Sequence, residues 1–193
     1  MKTRPLVTAM TLATLLTGAV DTPAQTDLPT SPADLAAYCQ RQPCRKDAVV
    51  QVRLPDGRVQ EERSTLYRPA VTRGSVSILL GEELRVVPDF DDLDFQGWRA
   101  ADRRESARTP VLTFKMTQST SDGSVSIGIS NSGREPVKLR LSIRSAGAAA
   151  GEYTSSCPVP AGGTVYEYWS QPVVEVIVNE AALLSDDAAL LCD

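Results

Sequence analysis

Histidine is absent from this chain of 193 residues. Its absence excludes Ser-His-Asp and Cys-His nucleophiles, an imidazole general base and any zinc or copper site that needs a histidine ligand. An enzyme built on this sequence would have to work with carboxylate, lysine or tyrosine side chains. We therefore expect a protein that is not an enzyme and carries no cofactor.

Long apolar runs are also lacking beyond the first twenty residues, which read MKTRPLVTAMTLATLLTGAV. Lys2 and Arg4 precede an apolar run over residues 6–20, and Ala24 offers a cleavage site, which is the order of a secretory signal peptide. The run is too short and too rich in threonine to span a bilayer comfortably. We expect a signal peptide over residues 1–24, no transmembrane segment after its removal, and a periplasmic or secreted protein.

Neither sign of charge is in large excess. The chain has 20 lysine and arginine residues against 24 aspartate and glutamate residues, a formal net charge of −4. Nucleic-acid surfaces are bound through clustered basic residues, which this balance does not favour. We therefore expect no nucleic-acid partner.

Cysteine is scarce, and its four copies allow three pairings. An oxidising compartment favours two disulfides. We expect Cys39 to pair with Cys44 as a local clip, and Cys157 to pair with Cys192, which would tie the C-terminal tail to the sheet. Zinc is the alternative, but the spacing is not that of paired metal knuckles and no histidine completes a mixed site. No metal is expected.

A helix start is visible near the expected mature N-terminus. Ser31 provides a cap, Pro32 occupies the first helical position and Asp34 follows in the first turn. These signals predict a short helix in SPADLAAYCQR that ends near Pro43. Residues 25–47 would then be a polar leader and a helix closed by the first disulfide.

From residue 48 the apolar residues alternate with polar ones, which is typical of half-buried strands. AVVQVRL, the turn PDG and RVQEERS predict a β-hairpin, and SVSILLGEELRVV repeats the scheme with Gly81 at or beside the turn. A charged segment beginning at Pro88 interrupts the pattern, with a short helix predicted over residues 98–106. The tail NEAALLSDDAALLCD predicts a last helical turn capped by Asn179.

The clearest alternation lies in GSVSIGISNSGREPVKLRLSIRS. Apolar residues predicted to face a core recur at every second position: Val125, Ile127, Ile129, Val137, Leu139, Leu141 and Ile143. This block resembles the strand-turn-strand units of bacterial immunoglobulin-like sandwiches, in which an N-x-G-x-x-P-V turn joins two strands. The resemblance covers about 25 residues and implies a fold without implying a function.

About nine or ten short strands and no βαβ alternation predict an all-β fold. We expect an antiparallel, immunoglobulin-like β-sandwich over residues 48–193, with a short N-terminal helix and a helical or loop insertion. Residues 48–87 would either join this sandwich or build a small sheet of their own.

Two glutamates stand among the apolar neighbours of TVYEYWSQPVVEVIV. If SQP is a three-residue hairpin loop, Glu167 faces Glu175 with Cβ atoms about 5 Å apart, and Tyr166 and Tyr168 lie on the opposite face. Paired carboxylates at such distances serve retaining glycosidases, so a glycan hydrolase is the catalytic alternative. If Pro172 instead marks a corner between sheets, each glutamate is an ordinary surface carboxylate or part of a binding site.

An acidic cluster occupies the interrupting segment PDFDDLDFQGW: Asp89, Asp91, Asp92 and Asp94, followed by Trp98. Such a loop can bind calcium, although the order is not that of an EF-hand. Neutralisation by the arginine-rich segment that follows is the favoured interpretation. Trp98 would either pin the loop to the core or anchor a partner, as in an inhibitor of a secreted hydrolase.

The candidate binding residues are therefore those of the acidic cluster together with Trp98, Glu167 and Glu175. We expect an exported, non-catalytic β-sandwich that binds another protein or a component of the envelope surface.

Overall fold

A computed structural model describes residues 31–41, 43–64, 68–105, 109–185 and 192. The expected signal peptide lies outside these residues. Within them the chain forms one short helix and thirteen strands, and every pairing between strands is antiparallel. In chain order the elements are α1 (Pro32–Cys39), β1 (Cys44–Arg45), β2 (Ala48–Arg53), β3 (Val59–Ser64), β4 (Arg68–Pro69), β5 (Val76–Leu79), β6 (Glu83–Asp91), β7 (Asp94–Ala100), β8 (Leu112–Gln118), β9 (Val125–Asn131), β10 (Val137–Ser145), β11 (Glu152–Thr154), β12 (Thr164–Trp169) and β13 (Val173–Leu183).

Helix α1 and both expected disulfides are confirmed. The Ser31 hydroxyl accepts a hydrogen bond from the backbone N–H of Asp34 at 3.1 Å, so it caps the helix. Cys39 is bonded to Cys44 at the end of α1, and Cys157 is bonded to Cys192. Among the described residues, no helix is long and apolar enough to cross a membrane.

Two larger sheets make a sandwich-like arrangement. One has the strand order β12-β9-β8-β6-β7 and the other has the order β11-β10-β13-β5. Side chains from both sheets form one buried cluster, in which Phe114, Met116 and Leu141 are among the largest. The alternation predicted for residues 125–143 is confirmed, because all seven of the predicted apolar residues are buried.

The first predicted hairpin, β2–β3, is also confirmed and forms a two-stranded sheet of its own. Its Val50 and Val52 pack with Leu79 of β5 and Val174 of β13 in a small second cluster. Leu79 is paired with Glu175, on the side of the four-stranded sheet that faces away from the main core. The hairpin therefore covers the part of the outer face of that sheet around Leu79 and Val174, whereas β5 and β6 join the two larger sheets.

Three local predictions were wrong. SVSILLGEELRVV is not a hairpin, since β5 and β6 belong to different sheets and the chain crosses between them near Gly81. Residues 98–105 contain no helix, because Trp98 lies within strand β7, which pairs with β6 in a hairpin. Asn179 does not cap a helix, because β13 continues along β10 as far as Leu183; residues 186–191 lie outside the described part of the chain.

Candidate functional site

The structure separates the two glutamates. Glu167 lies on β12 of the five-stranded sheet and Glu175 on β13 of the four-stranded sheet. Strand β12 pairs with β9, so the facing register in a β12–β13 hairpin is not formed. Glu167 points inward, and its Oε1 accepts a hydrogen bond from the Cys157 N–H at 2.8 Å. The segment around Pro172 is the corner at which the chain changes sheets.

Glu175 is a fully buried carboxylate, with 0% of its surface exposed. Its Oε1 accepts hydrogen bonds from Arg68 Nη2 and Ser77 Oγ, each at 2.5 Å, and its Oε2 accepts from Arg144 Nε at 2.9 Å. Burial alone would raise the pKa of this carboxyl group. The bonds from Ser77 and Arg144 and the charge of Arg68 outweigh burial, so the pKa is lowered and Glu175 stays ionised.

The same cluster extends into the covering hairpin. Arg144 Nη1 contacts Glu62 Oε2 on β3 at 2.7 Å, and the other oxygen of Glu62 accepts from the Gly147 N–H at 2.7 Å. Glu62 and Arg144 are far apart in the chain, so no local sequence motif predicts their contact. The cluster joins five strands that belong to three sheets, and its carboxylate oxygens are already occupied. Its chemistry is therefore that of a structural ion network.

The acidic cluster lies on the β6–β7 hairpin. Asp92 has a positive φ of 56° at the tip, beside an exposed Leu93. The four aspartates are exposed, and within the described residues no group of three or more acidic or cysteine side chains is placed to hold a metal ion. Arg99 is not on a helix; its guanidinium pairs with Glu105, whose pKa is lowered to about 2 by that contact.

Trp98 packs on the main core and is almost fully buried. Its ring lies against Phe95 with centroids 5.1 Å apart, and its indole N–H donates to the carbonyl of Asn179 at 3.4 Å. The aromatic residues of the hairpin therefore hold it against the sandwich, which leaves the acidic tip as the part that faces solvent.

The outer face of the five-stranded sheet is rich in hydroxyl groups. Along β8, β9 and β12, side chains on this face alternate with residues that face the core, and the register aligns them in rows across the sheet. The middle row is Tyr166, Gly128, Lys115 and Glu83. The rows on either side contribute hydroxyl groups: Ser130, Thr113 and Thr164 on one side, and Thr117 and Ser126 on the other.

Two tyrosines border these rows on the edge strand β12. Tyr166 and Tyr168 are 61% and 67% exposed, and their rings are 6.4 Å apart with an interplanar angle of 29°. A Cβ atom placed on Gly128 would lie only 3.0 Å from Cε1 and 3.4 Å from Cδ1 of Tyr166. The Tyr166 ring therefore lies over Gly128, and a side chain there would displace it.

A groove of 410 Å³ runs over this face. It lies within the size range of ligand sites, and its walls are the hydroxyl rows and Tyr166. The hydroxyls are linked in pairs, Thr117 with Ser126 at 3.2 Å and Ser130 with Thr164 at 2.8 Å. Each hydroxyl has one donor and two acceptor positions, so every pair keeps capacity for a ligand. We name the surface formed by these rows and by both tyrosines the hydroxyl face.

A second groove, of 480 Å³, lies on the four-stranded sheet, where Tyr153, Arg140 and Glu180 are among the residues that line it. Those two charged residues face each other across β10 and β13 at 3.5 Å. Tyr153 is exposed to about the same extent as Tyr166. The other aromatic residue that lines this groove, Phe95, packs against the core, so Tyr153 has no aromatic neighbour on the solvent side among the lining residues. The second groove therefore lacks the aromatic pair of the hydroxyl face.

Comparison with protein-family models, with curated proteins and with solved structures found no match to this chain.

Of the sequence-predicted binding residues, none lies on the hydroxyl face. One signal was present in the sequence, because the alternation in TVYEYW places Tyr166 and Tyr168 opposite Glu167. The hydroxyl rows emerge only from the register among β8, β9 and β12, and β12 follows β9 in the chain by more than thirty residues.

Proposed function

We propose that this chain is an exported, non-catalytic, immunoglobulin-like β-sandwich that binds a component of the cell envelope or of its surroundings through the hydroxyl face. One observation carries the proposal: the two sheets differ in what covers their outer faces. On the four-stranded sheet, the β2–β3 hairpin covers the part of the outer face around Glu175, and the groove beside it carries one exposed tyrosine, Tyr153. The five-stranded sheet carries two exposed tyrosines and a groove.

Exposed aromatic side chains support a binding role. Tyr and Trp supply large contact area at a small loss of conformational freedom, and they are enriched where proteins bind their partners. Tyrosines held side by side on a strand, one of them lying over a glycine, are already placed for contact. A partner would therefore meet a surface that needs little rearrangement.

A non-catalytic role is supported by the chemistry of the carboxylates. Glu175 is surrounded by cationic and hydroxyl donors that keep it ionised, so it is poorly suited to donate a proton. Glu167 accepts a hydrogen bond from the backbone instead of facing a second carboxylate. Both disulfides fit an oxidising compartment, which supports the periplasm or the cell exterior as the location.

The immunoglobulin-like part of the proposal is supported by the connection between β9 and β10. This connection carries the NSGREP segment and joins the two sheets of the sandwich. Asn131 is buried there, where its amide donates to the carbonyl of Glu135 at 2.8 Å and its Oδ1 accepts from the Gly133 N–H at 2.8 Å.

The test is co-sedimentation of the purified, oxidised protein with envelope fragments. We expect the wild type to sediment with the fragments and the double variant Tyr166→Ala/Tyr168→Ala to stay in the supernatant. Tyr153→Ala is the matched control, because it removes an equally exposed tyrosine from the other sheet and should sediment as the wild type does. Equal sedimentation of the double variant and the wild type would refute binding through the hydroxyl face.

A further inference from the structure

We infer that the hydroxyl face binds an uncharged polysaccharide chain. This inference rests on the proposed function and names the chemistry of the ligand. It follows from three properties of the face: an exposed pair of neighbouring aromatic rings, rows of hydroxyl groups on either side of Gly128, and an ion pair whose charges cancel.

The aromatic pair suits the apolar faces of sugar rings. The C–H bonds on one side of a pyranose ring form an apolar patch that packs on an aromatic ring. The ring planes of Tyr166 and Tyr168 are inclined by 29° and their centroids are 6.4 Å apart, a separation too large for one ring to cover the other. They form an extended platform along β12, on which two successive sugar rings of one chain can pack.

Gly128 holds this platform close to the sheet. It lies directly across from Tyr166 in the register between β9 and β12. A larger residue would place its Cβ 3.0 Å from Cε1 of the Tyr166 ring, so the ring would have to shift, and further methyl groups such as those of valine would displace it more. The glycine has an ordinary strand conformation without positive φ, so the backbone does not require it. In the structure, Gly128 leaves room for the Tyr166 ring.

The hydroxyl rows suit the rest of the sugar. Ser and Thr hydroxyls both donate and accept, as sugar hydroxyls do, and Ser126 and Ser130 flank Gly128 on the same face of β9. The hydroxyl rows lie on either side of the row of Gly128, so a chain lying along β9 would meet Ser and Thr hydroxyls both before and after the Tyr166 ring.

The charges of the face favour a neutral ligand. Lys115 Nζ lies 3.4 Å from Glu83 Oε2, and the two residues face each other between β8 and β6. Their charges offset each other in the groove. Arg85, which faces Thr113 across β6 and β8, is not among the residues that line the groove, and its charge acts on Glu105. A polyanion would gain little from this pair, whereas a neutral chain could receive hydrogen bonds from the ammonium group and donate them to the carboxylate.

The experiment is calorimetric titration of the oxidised protein with soluble hexasaccharides. The neutral probes are the hexamers of β-1,4-glucose, α-1,4-glucose, β-1,4-xylose and β-1,4-N-acetylglucosamine, and the anionic probe is hexagalacturonate. We expect at least one neutral hexamer to bind, and the anionic hexamer to bind at least about tenfold more weakly. Preferred binding of hexagalacturonate, or no binding of any neutral hexamer up to about 5 mM, would overturn the inference.

Two variants locate the site. Tyr166→Ala should weaken binding by about tenfold or more, and Gly128→Val should do the same although it keeps both tyrosines, because it displaces the Tyr166 ring. Tyr153→Ala should bind as the wild type does. Circular dichroism and the unfolding midpoint of each variant must match the wild type. If Gly128→Val is destabilised, Thr117→Ala/Ser126→Ala, which removes one hydroxyl pair, serves in its place and should also weaken binding.

The failure of this inference is distinguishable from the failure of the proposed function. Sedimentation with envelope fragments that depends on Tyr166 and Tyr168, without competition by any neutral hexamer, would refute the glycan and leave the binding face intact. A dimer that depends on Tyr166, formed through the edge strand β12 and detected by sedimentation velocity, would show a second copy of the chain as the occupant and would also refute the glycan. If the tyrosine variants still sediment with envelope fragments and still bind the neutral hexamer, both proposals are refuted.

Discussion

Replacing Glu175 with glutamine should destabilise the protein strongly, although the change removes only a charge and preserves shape. Arg144 is 16% exposed and Arg68 is 40% exposed, and both donate to the Glu175 carboxylate. Removing one partner of a buried ion pair costs about 3–5 kcal/mol, because the other charge is left unpaired. Arg68 can be rehydrated and Arg144 keeps Glu62, so we expect the lower end, about 3 kcal/mol.

Urea-induced unfolding of the oxidised protein near neutral pH measures this loss through tryptophan fluorescence. For a denaturant slope of about 2 kcal/mol per M, the midpoint should fall by about 1.5 M. Glu180→Gln is the matched control on the same strand. Glu180 pairs with Arg140 at 3.5 Å on the surface, where an ion pair contributes about 0–1 kcal/mol. A loss below about 1 kcal/mol for Glu175→Gln would refute the role assigned to the cluster.

The same pair of proteins tests the pKa of Glu175. Its pKa is lowered from the ordinary value of 4.5 by folding, so the unfolded state binds more protons in acid. The stability that the charge contributes is therefore present above about pH 4.5 and is lost as the pH falls through the folded pKa. The difference in unfolding free energy between wild type and Glu175→Gln should shrink on acidification, and a constant difference down to about pH 3 would contradict the lowered pKa.

Three further changes test the fold. Replacing Cys157 and Cys192 with alanine opens a link between residues 35 apart and should lower the free energy of unfolding by about 4 kcal/mol, measured in urea. Phe114→Ala should cost about 3–5 kcal/mol because the ring is fully buried, whereas the exposed Leu93→Ala should change stability by less than about 0.5 kcal/mol. Gly97→Ala should lower the melting temperature, since Gly97 has a φ of 146° and an added Cβ would lie 2.6 Å from the carbonyl oxygen of Arg73; an unchanged melting temperature would contradict this close approach.

Much of the local structure could be predicted from the sequence because it depends on neighbours in the chain. The cap at Ser31, the β2–β3 hairpin and the alternation around Val125 are short-range patterns, and the structure confirms each of them. Both disulfides followed from the oxidising context and from the short spacing between Cys39 and Cys44.

The assignment of strands to sheets could not be predicted in the same way. Alternation specifies which side of a strand is buried, but it does not specify which strand lies beside it. The pattern around Gly81 predicts a tight hairpin, and the pattern around Pro172 allows either a hairpin or a change of sheet; at both positions the chain changes sheet. The predicted helix at Trp98 failed for a related reason, because charged residues in an exposed hairpin resemble those of a helix surface.

The candidate sites depend on these long-range pairings. Glu175 was visible as an unusual glutamate, but its partners Arg68, Ser77 and Arg144 come from three other strands. The hydroxyl face likewise combines β8, β9 and β12 through their register. A sequence pattern could show that Tyr166 faces away from the core, but only the register places it over Gly128.

The most direct test asks whether the hydroxyl face binds a polysaccharide. Amide chemical shifts of the ¹⁵N-labelled, oxidised protein are mapped while solubilised envelope polysaccharide is added. We expect the perturbed amides to cluster on β8, β9 and β12, centred on Gly128 and Tyr166. We also expect Gly128→Val to abolish these shifts. Perturbations centred on the groove beside Tyr153, or shifts that persist unchanged in Gly128→Val, would contradict binding through the hydroxyl face.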